Sequence, residues 1–273
     1  MNKLQTFNKI VKDIKDIKIQ GARNVAKYAL IAYSLFPTRK SKDILLKTRP
    51  TEPMMEKVLK LAEQGVSLKK IFLHFKIVQE KINKSVFKLI RKNDKIFTHC
   101  HSSNVIQALI YTRKKGKNFE IYNTETRPLF QGRKTAKELK KAGIKVIMFI
   151  DSAIATAIEK ENKKDRLFIN KIFLGADAIT KKGIINKIGS KTISELAKIH
   201  KIPIFIVADS WKFTKKKVPI EQRKLNEVWD NAPKKIKIQN PAFEFVDKKY
   251  ITKIISEYGT LPFNDFLKKV KDL

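Results

Sequence analysis

The one cysteine of the chain, Cys100, sits where a thiol could do chemistry. It follows the short apolar run Ile96–Thr98 and precedes His101, Ser102, Ser103 and Asn104, after which Val105, Leu109 and Thr112 keep helical spacing. A thiol facing the start of a helix feels the positive end of the backbone dipole, which favours the thiolate and predicts a pKa below that of a free cysteine. A lone cysteine is more often a small buried hydrophobe, and only the polar neighbours argue for function here. A metal centre on His99, Cys100 and His101 is not supported. Consecutive side chains diverge, no second cysteine exists, and His74 and His200 stand at no ligand spacing from them. No metal and no cofactor is expected.

Other function-capable residues recur at the ends of apolar runs: Thr124–Pro128, Asp151-Ser152, Gly175-Ala176-Asp177 and Asp209. Gln20-Gly21-Ala22-Arg23-Asn24 is a small-residue break opening a helix, where backbone N–H groups could cradle an anion. Arg49, just before Pro50, is either a solvated loop charge or a phosphate ligand. Asn186-Lys187 precedes Gly189-Ser190 at another helix start, so a lysine point charge and a backbone anion site coincide. Taken alone, Lys187 is one lysine among many, and Asp177 is an ordinary turn residue.

These residues need a scaffold. Residues 1 to about 92 read as helices: Phe7, Ile10, Val11, Ile14 and Ile17 share one face, as do Val25, Ala29, Leu30 and Tyr33. Pro53 opens a helix through Met55, Val58, Leu59 and Leu61, and Gly65 separates it from helical segments at Leu68–Phe75 and Val78–Ile90. From Asp94 short apolar runs alternate with helical patterns, the mark of βαβ units and a mostly parallel sheet. Strands are predicted at Ile96–Thr98, Phe119–Asn123, Val146–Ile150, Leu167–Leu174 and Ile204–Ala208. Helices are predicted at Val105–Lys115, Thr135–Ala142, Ala153–Lys160 and Ser190–His200. The chain after Trp211 reads as irregular until Lys248–Glu257, with Asn240–Phe243 as a fixed turn carrying a buried aromatic. The expected class is α/β: a helical N-terminal domain over 1–92 and a Rossmann-like catalytic and oligomerisation domain over 93–273. In such sheets ligands bind at the carboxyl ends of the strands, where the polar residues cluster. No dinucleotide glycine fingerprint, phosphate-loop lysine or serine-hydrolase elbow occurs.

The chain has 273 residues, 60 Lys and Arg against 26 Asp and Glu, and a net charge of +34. Such a field attracts polyanions. Yet the lysines are scattered through every segment without a basic tail or an aromatic stacking motif, which argues against dedicated nucleic-acid binding. One cysteine excludes a disulfide framework, the N-terminal segment is amphipathic, and no apolar run approaches the ~20 residues of a membrane span. A cytoplasmic protein with no membrane association is expected.

Read in order, Thr98–Ser102 (THCHS), Glu125–Gly132 (ETRPLFQG), Gly175–Ile179 (GADAI), Lys182–Ser190 (KGIINKIGS) and Asn240–Phe245 (NPAFEF) resemble one superfamily. It holds the alpha, beta and delta subunits of translation initiation factor 2B, methylthioribose-1-phosphate isomerase and archaeal ribose-1,5-bisphosphate isomerase. The pairing of a cysteine in the first motif with an aspartate in the third resembles the isomerases, most of all the last. That resemblance implies conversion of α-ribose 1,5-bisphosphate to ribulose 1,5-bisphosphate in AMP degradation. It also implies self-association as a dimer or trimer of dimers, and it admits AMP as an activator. Carried onto this chain, Cys100 would take the proton from C2 of the sugar and Asp177 would give one as the ring opens. Gln20, Gly21, Ala22, Arg23, Arg49, Ser102, Ser103, Asn104, Asn186, Lys187 and Lys212 would hold the phosphates. Glu125, Arg127 and Gln131 would line the cleft wall or a subunit interface.

Two departures stand out. Glu159–Asp165 reads as a surface extension, and the anion loop has Gln20-Gly21-Ala22-Arg23 where related isomerases have Arg-Gly-Ala-Gly. If the loop still grips phosphate, Arg23 is the residue expected to replace the charge missing at position 20. The other readings are a non-catalytic regulatory subunit like those of the translation factor, and a methylthioribose-1-phosphate isomerase.

Overall fold

The computed structural model describes residues 1–158 and 169–271. The expected extension Glu159–Asp165, the end of the expected helix Ala153–Lys160 and the start of the expected strand Leu167–Leu174 lie partly or wholly outside the described residues.

The first five helices are α1 (Lys3–Lys15), α2 (Ala22–Leu35), α3 (Arg39–Thr48), α4 (Pro53–Glu63) and α5 (Leu68–Leu89). Local chemistry starts several of them. Asn2 and Gln5 form a reciprocal capping box on α1, Thr38 caps α3, Pro53 fills the first turn of α4, and Ser67 caps α5. The two segments expected after Gly65 are one helix of 22 residues, because nothing in Lys76-Ile77 stops it and Ile71, Phe75, Val78, Ile82 and Val86 keep one buried stripe throughout.

Beyond them lies a mixed α/β unit. Its strands and helices alternate as β1 (Asp94–Thr98), α6 (Ser103–Lys114), β2 (Phe119–Thr124), α7 (Gln131–Lys141), β3 (Lys145–Phe149), α8 (Ile154–Ile158), β4 (Lys171–Leu174), β5 (Ala178–Ile179), β6 (Gly183–Lys187), α9 (Ser190–Ile199), β7 (Ile204–Val207), β8 (Phe243–Asp247), β9 (Lys253–Ser256), β10 (Gly259–Leu261) and α10 (Phe263–Lys269). Seven strands form one sheet in the order β10-β9-β7-β4-β1-β2-β3, parallel except for the β9–β10 hairpin. One face packs apolar residues of α5, α6 and α7, the other those of α8, α9 and α10. Chain order reverses between β1 and β4, so their carboxyl ends open a crevice.

Five described strands lie outside the predicted ones: β9 falls within Lys248–Glu257, where the regular pattern is expected to resume, β10 lies just beyond it, and the other three form a sheet of their own. β5, β6 and β8 make a small antiparallel sheet, so the stretch expected to be irregular up to Lys248 already contains a strand at Phe243–Asp247. Phe243 is buried, as the expected turn required, and it pairs with Lys187 across β6–β8. The helical and sheet parts meet at Trp211, which stacks on His74 at 3.4 Å between ring centroids, while His74 Nε2 lies 3.2 Å from Asp209 Oδ1.

Candidate active site

The crevice deepens into a cavity of about 930 Å³ including its open mouth. Its sheet-side wall carries Cys100, Ser102, Ser103, Gly175, Asp177, Asn186 and Lys187; its helix-side wall carries Gln20, Gly21, Ala22, Arg49 and Glu52. Lys212 and a segment bearing Glu221, Arg223 and Glu227 complete it.

Cys100 is pinned by its surroundings. Its N–H donates to Thr126 Oγ1 at 3.1 Å and its carbonyl accepts from Thr135 Oγ1 at 2.7 Å. Its φ of +64° and the +61° of Thr126 are left-handed values that ordinary residues avoid and that concentrate at functional sites. Asp151 holds the neighbouring turn, accepting the N–H groups of Thr126 at 2.9 Å and Arg127 at 2.6 Å. The flanking histidines are structural. His99 must donate from Nε2 to the Ile188 carbonyl at 2.8 Å, so Nδ1 accepts from Thr124 Oγ1 at 2.6 Å and burial keeps the ring neutral. Because Thr135 spends its hydroxyl proton on Cys100, His101 Nδ1 donates to Thr135 Oγ1 at 3.1 Å, and burial lowers that ring's pKa to about 4.

The expectation of an acidified thiol is overturned. Burial pushes Cys100 up to about 11, and the Lys187 cation offsets only part of this. Two residues, His101 and Ser102, separate the thiol from the first turn of α6, so the dipole that falls off within a turn is outweighed by lost hydration.

Asp177 is brought to the same cavity. Gly175 makes this possible: a Cβ there would stand 2.6 Å from Ser102 Oγ and 2.7 Å from Ser102 Cβ, so any larger residue would push the loop away from α6. Burial raises the Asp177 pKa against the opposing charges of Lys212, Lys187 and Arg49, which favours the neutral acid. Its neighbour Asn186 is best turned with its NH2 toward Asp177 Oδ2 and the Gly175 carbonyl, both at 3.3 Å, and its oxygen toward Ser190 Oγ at 2.8 Å. Lys187 lies with Nζ 4.9 Å from the centre of the Phe243 ring and makes no ion pair among the described residues. Lys212 Nζ donates to the Ala176 carbonyl at 2.6 Å.

Two expected ligands do not reach the cavity. Arg23 is buried on the far side of α2, donating to Gln79 Oε1 at 2.9 Å and Gln107 Oε1 at 3.3 Å, because the helical turn that exposes Gly21 and Ala22 to the cavity carries the next residue away from it. Asn104 is buried with its NH2 on Gln79 Oε1 at 3.0 Å. Arg49 does line the cavity but is bracketed, with Nη2 3.4 Å from Glu52 Oε1 and Nε 3.1 Å from Glu221 Oε2. Of the cleft-wall candidates, Gln131 faces the cavity with a buried, unpartnered Oε1. Glu125 accepts from Arg133 at 2.7 Å, and Arg127 donates to the Val228 carbonyl at 3.3 Å.

Sequence reasoning missed Glu52, Glu221, Arg223 and Glu227. Their only signal is a carboxylate directly after Arg49-Pro50-Thr51 and a Glu-x-Arg-x-x-x-Glu spacing in an otherwise irregular stretch. Sequence reasoning singled out Asp209 at a strand end but not its grouping with His74 and Glu257; the potential ligand atoms of the three lie within 4.8 Å of one another, and none of the three lines the cavity.

Residues 37–263 match the model of the initiation factor 2 subunit family. The chain belongs to this family. The ribose 1,5-bisphosphate isomerase of Archaeoglobus fulgidus is 31% identical, over 91% of this chain and 87% of that protein. The methylthioribose-1-phosphate isomerase of Thermosipho africanus is 28% identical over 97% of this chain and 90% of its own. Among solved structures, translation initiation factor 2B of Pyrococcus horikoshii superposes with a TM-score of 0.78 at 23% identity, over 94% of this chain and 96% of that one, a likeness of fold. The 5-methylthioribose 1-phosphate isomerase of the same organism gives 0.74 at 25% identity, over 97% and 87%.

Proposed function

We propose that this family member is a sugar-phosphate isomerase that converts α-ribose 1,5-bisphosphate to ribulose 1,5-bisphosphate. The observation that carries the reading is the convergence of one thiol, one buried carboxyl and two lysines on a single cavity at the strand-order reversal. The family's sequence relatives named as isomerases support the reaction type, and the first of them supports the substrate.

The reaction needs a base at C2 and an acid at the ring oxygen. As a thiolate, Cys100 removes the C2 proton; the electron pair forms the C1–C2 double bond as the bond from C1 to the ring oxygen breaks, and Asp177 gives its proton to that oxygen. The enol at C2 then returns its hydroxyl proton to Asp177 while the Cys100 thiol protonates C1. The ketone forms, and both residues recover their starting states. The active form therefore holds one proton between the pair, on Asp177. Burial favours the neutral carboxyl and Lys187 favours the thiolate, which are the two influences this form requires. Lys187, Lys212, Asn186 and the N–H groups at Gly21 and Ala22 are the phosphate-binding groups in this reading.

The reading extends to a cytoplasmic enzyme of nucleotide breakdown, with AMP as an activator, that self-associates through its sheet. No described helix is long and apolar enough to cross a membrane. The edge strand β3 exposes Met148, and Ile150 just past the strand's end is exposed as well, apolar groups that a second copy would cover. The deciding experiment is incubation of purified protein with α-ribose 1,5-bisphosphate, with and without AMP, beside 5-methylthioribose 1-phosphate, with products identified by NMR. Ribulose 1,5-bisphosphate is expected. Conversion of the methylthio sugar alone would replace the substrate, and a folded protein that converts neither would overturn the enzyme reading.

A further inference from the structure

Glu52 stands at the residue before α4, where its side chain makes no capping bond to the helix, and it lines the cavity with that side chain only 1% exposed. Oε1 lies 3.4 Å from Arg49 Nη2; Oε2 is buried and has no hydrogen-bond partner. The charged groups that act on it come from four separate segments: Arg49 at the end of α3, Asp177 after β4, Lys212 after β7 and Glu221 in the segment before β8. With Asp177 protonated, an ionised Glu52 would join Glu221 to set two carboxylates against the two cations Arg49 and Lys212, cancelling them before any ligand arrives. It would also aim an oxygen that can only accept toward a phosphate that can only accept. As the neutral acid it leaves one carboxylate, Glu221, against those two cations, and Oε2 becomes a donor without a protein acceptor.

We propose that Glu52 binds ligand as the neutral acid, donating a hydrogen bond from Oε2 to an oxygen of the sugar-phosphate, and that its ionisation expels the anion at alkaline pH. This rests on the sugar-phosphate reading of the cavity. It makes Glu52 a specificity-determining residue that senses the ligand's negative oxygen by supplying a proton rather than a fixed positive charge. It also frees Arg49, which keeps Glu221 as its single ionic partner once Glu52 is neutral. Burial lifts the Glu52 carboxyl to about 8. A raised acid is neutral below that value and loses its proton as pH rises through it. If only the neutral form binds, the apparent Kd scales inversely with its fraction, which falls from about nine-tenths at pH 7 to about one-tenth at pH 9. Phosphate esters are already dianions across this window, with a second pKa of about 6, so the ligand contributes little to the change.

The test is isothermal titration calorimetry of α-ribose 1,5-bisphosphate and ribose 5-phosphate between pH 7 and pH 9. Wild-type Kd is expected to rise about tenfold. Glu52→Gln keeps a donor of the same shape that cannot ionise, and its Kd should stay within about threefold of the pH 7 wild-type value throughout. Glu52→Ala should bind at least about fivefold more weakly at pH 7 and show no pH dependence. The proposal is overturned if wild-type affinity is flat, if Glu52→Gln weakens in parallel with it, if Glu52→Ala matches wild type at pH 7, or if neither sugar phosphate binds. Product formation is followed separately. Binding with the expected pH pattern but without turnover would sink the isomerase reading and leave the role of Glu52 standing.

Discussion

The two walls of the cavity are built on different logic. On the sheet side, Cys100, Asp177, Asn186 and Lys187 stand at or just past the ends of registered strands, locked by Thr126, Thr135 and the close approach of Gly175 to Ser102. Lys187 there is a cation without a protein counter-ion among the described residues. On the helix side the position expected to be arginine is Gln20, Arg23 is turned into the helix packing, and Arg49 stands between the carboxyl groups of Glu52 and Glu221. The difference teaches that the wall which must place reacting atoms is rigid and charge-committed, whereas the wall which only holds the ligand's far end has its charge compensated from within. A positively charged protein thus does not make a uniformly positive site.

The sharpest way to break this comparison is to remove the reacting groups. Cys100→Ser and Asp177→Asn should each lower turnover by at least ~100-fold, the ordinary worth of a general base or acid, with unchanged far-UV circular dichroism. Retained activity in either would take that residue out of the mechanism. Next in size is the thiol's own reactivity. With Cys100 at about 11 in the empty site, against ~8.5 for a free cysteine, its thiolate fraction near neutral pH is about two orders of magnitude smaller. Iodoacetamide should therefore modify it more slowly than a free cysteine by a similar factor, with the rate rising about tenfold per pH unit up to about pH 10; fast labelling at pH 7 would contradict the buried placement.

Lys187→Met should then raise KM about tenfold or more, the scale of one charge-assisted contact of roughly 1.5–3 kcal/mol. An unchanged KM would erase the contrast between the walls. By the same contrast Arg23→Met should leave KM within about twofold while lowering Tm, at about 2–4 °C per kcal/mol for a chain of this size, because its partners are Gln79 and Gln107 rather than ligand. A tenfold rise in KM would return Arg23 to the anion loop. The smallest effect belongs to Gln20→Arg, which adds a cation with no carboxylate yet assigned to it; a severalfold fall in KM is expected in steady-state assays, and weaker binding would show that this wall is already saturated with charge.

What sequence alone determined is the alternation that builds the sheet and the residues at its edge. Apolar runs with period-two and three-to-four spacing report burial directly, so β1, β2, β3 and β7 and helices α6, α7 and α9 fall within a few residues of their expected bounds. The cysteine after β1 and the aspartate after β4 were legible because a strand's end delivers its following residues to one edge whatever else the chain does. The short strands β5, β6 and β8 were not, since two to five residues carry too little pattern and their pairing joins segments about 60 residues apart, as in Lys187 with Phe243. Tertiary structure alone decided protonation and orientation. Cys100 is basic rather than acidic because the fold excludes water from it, an effect that no local helix dipole announces. Arg23 faces away because α2 packs on α5, and Glu52 holds its proton because segments distant in sequence fold over it and bury it. Hydration and Coulomb terms depend on which groups share a cavity, and that is a property of the folded chain.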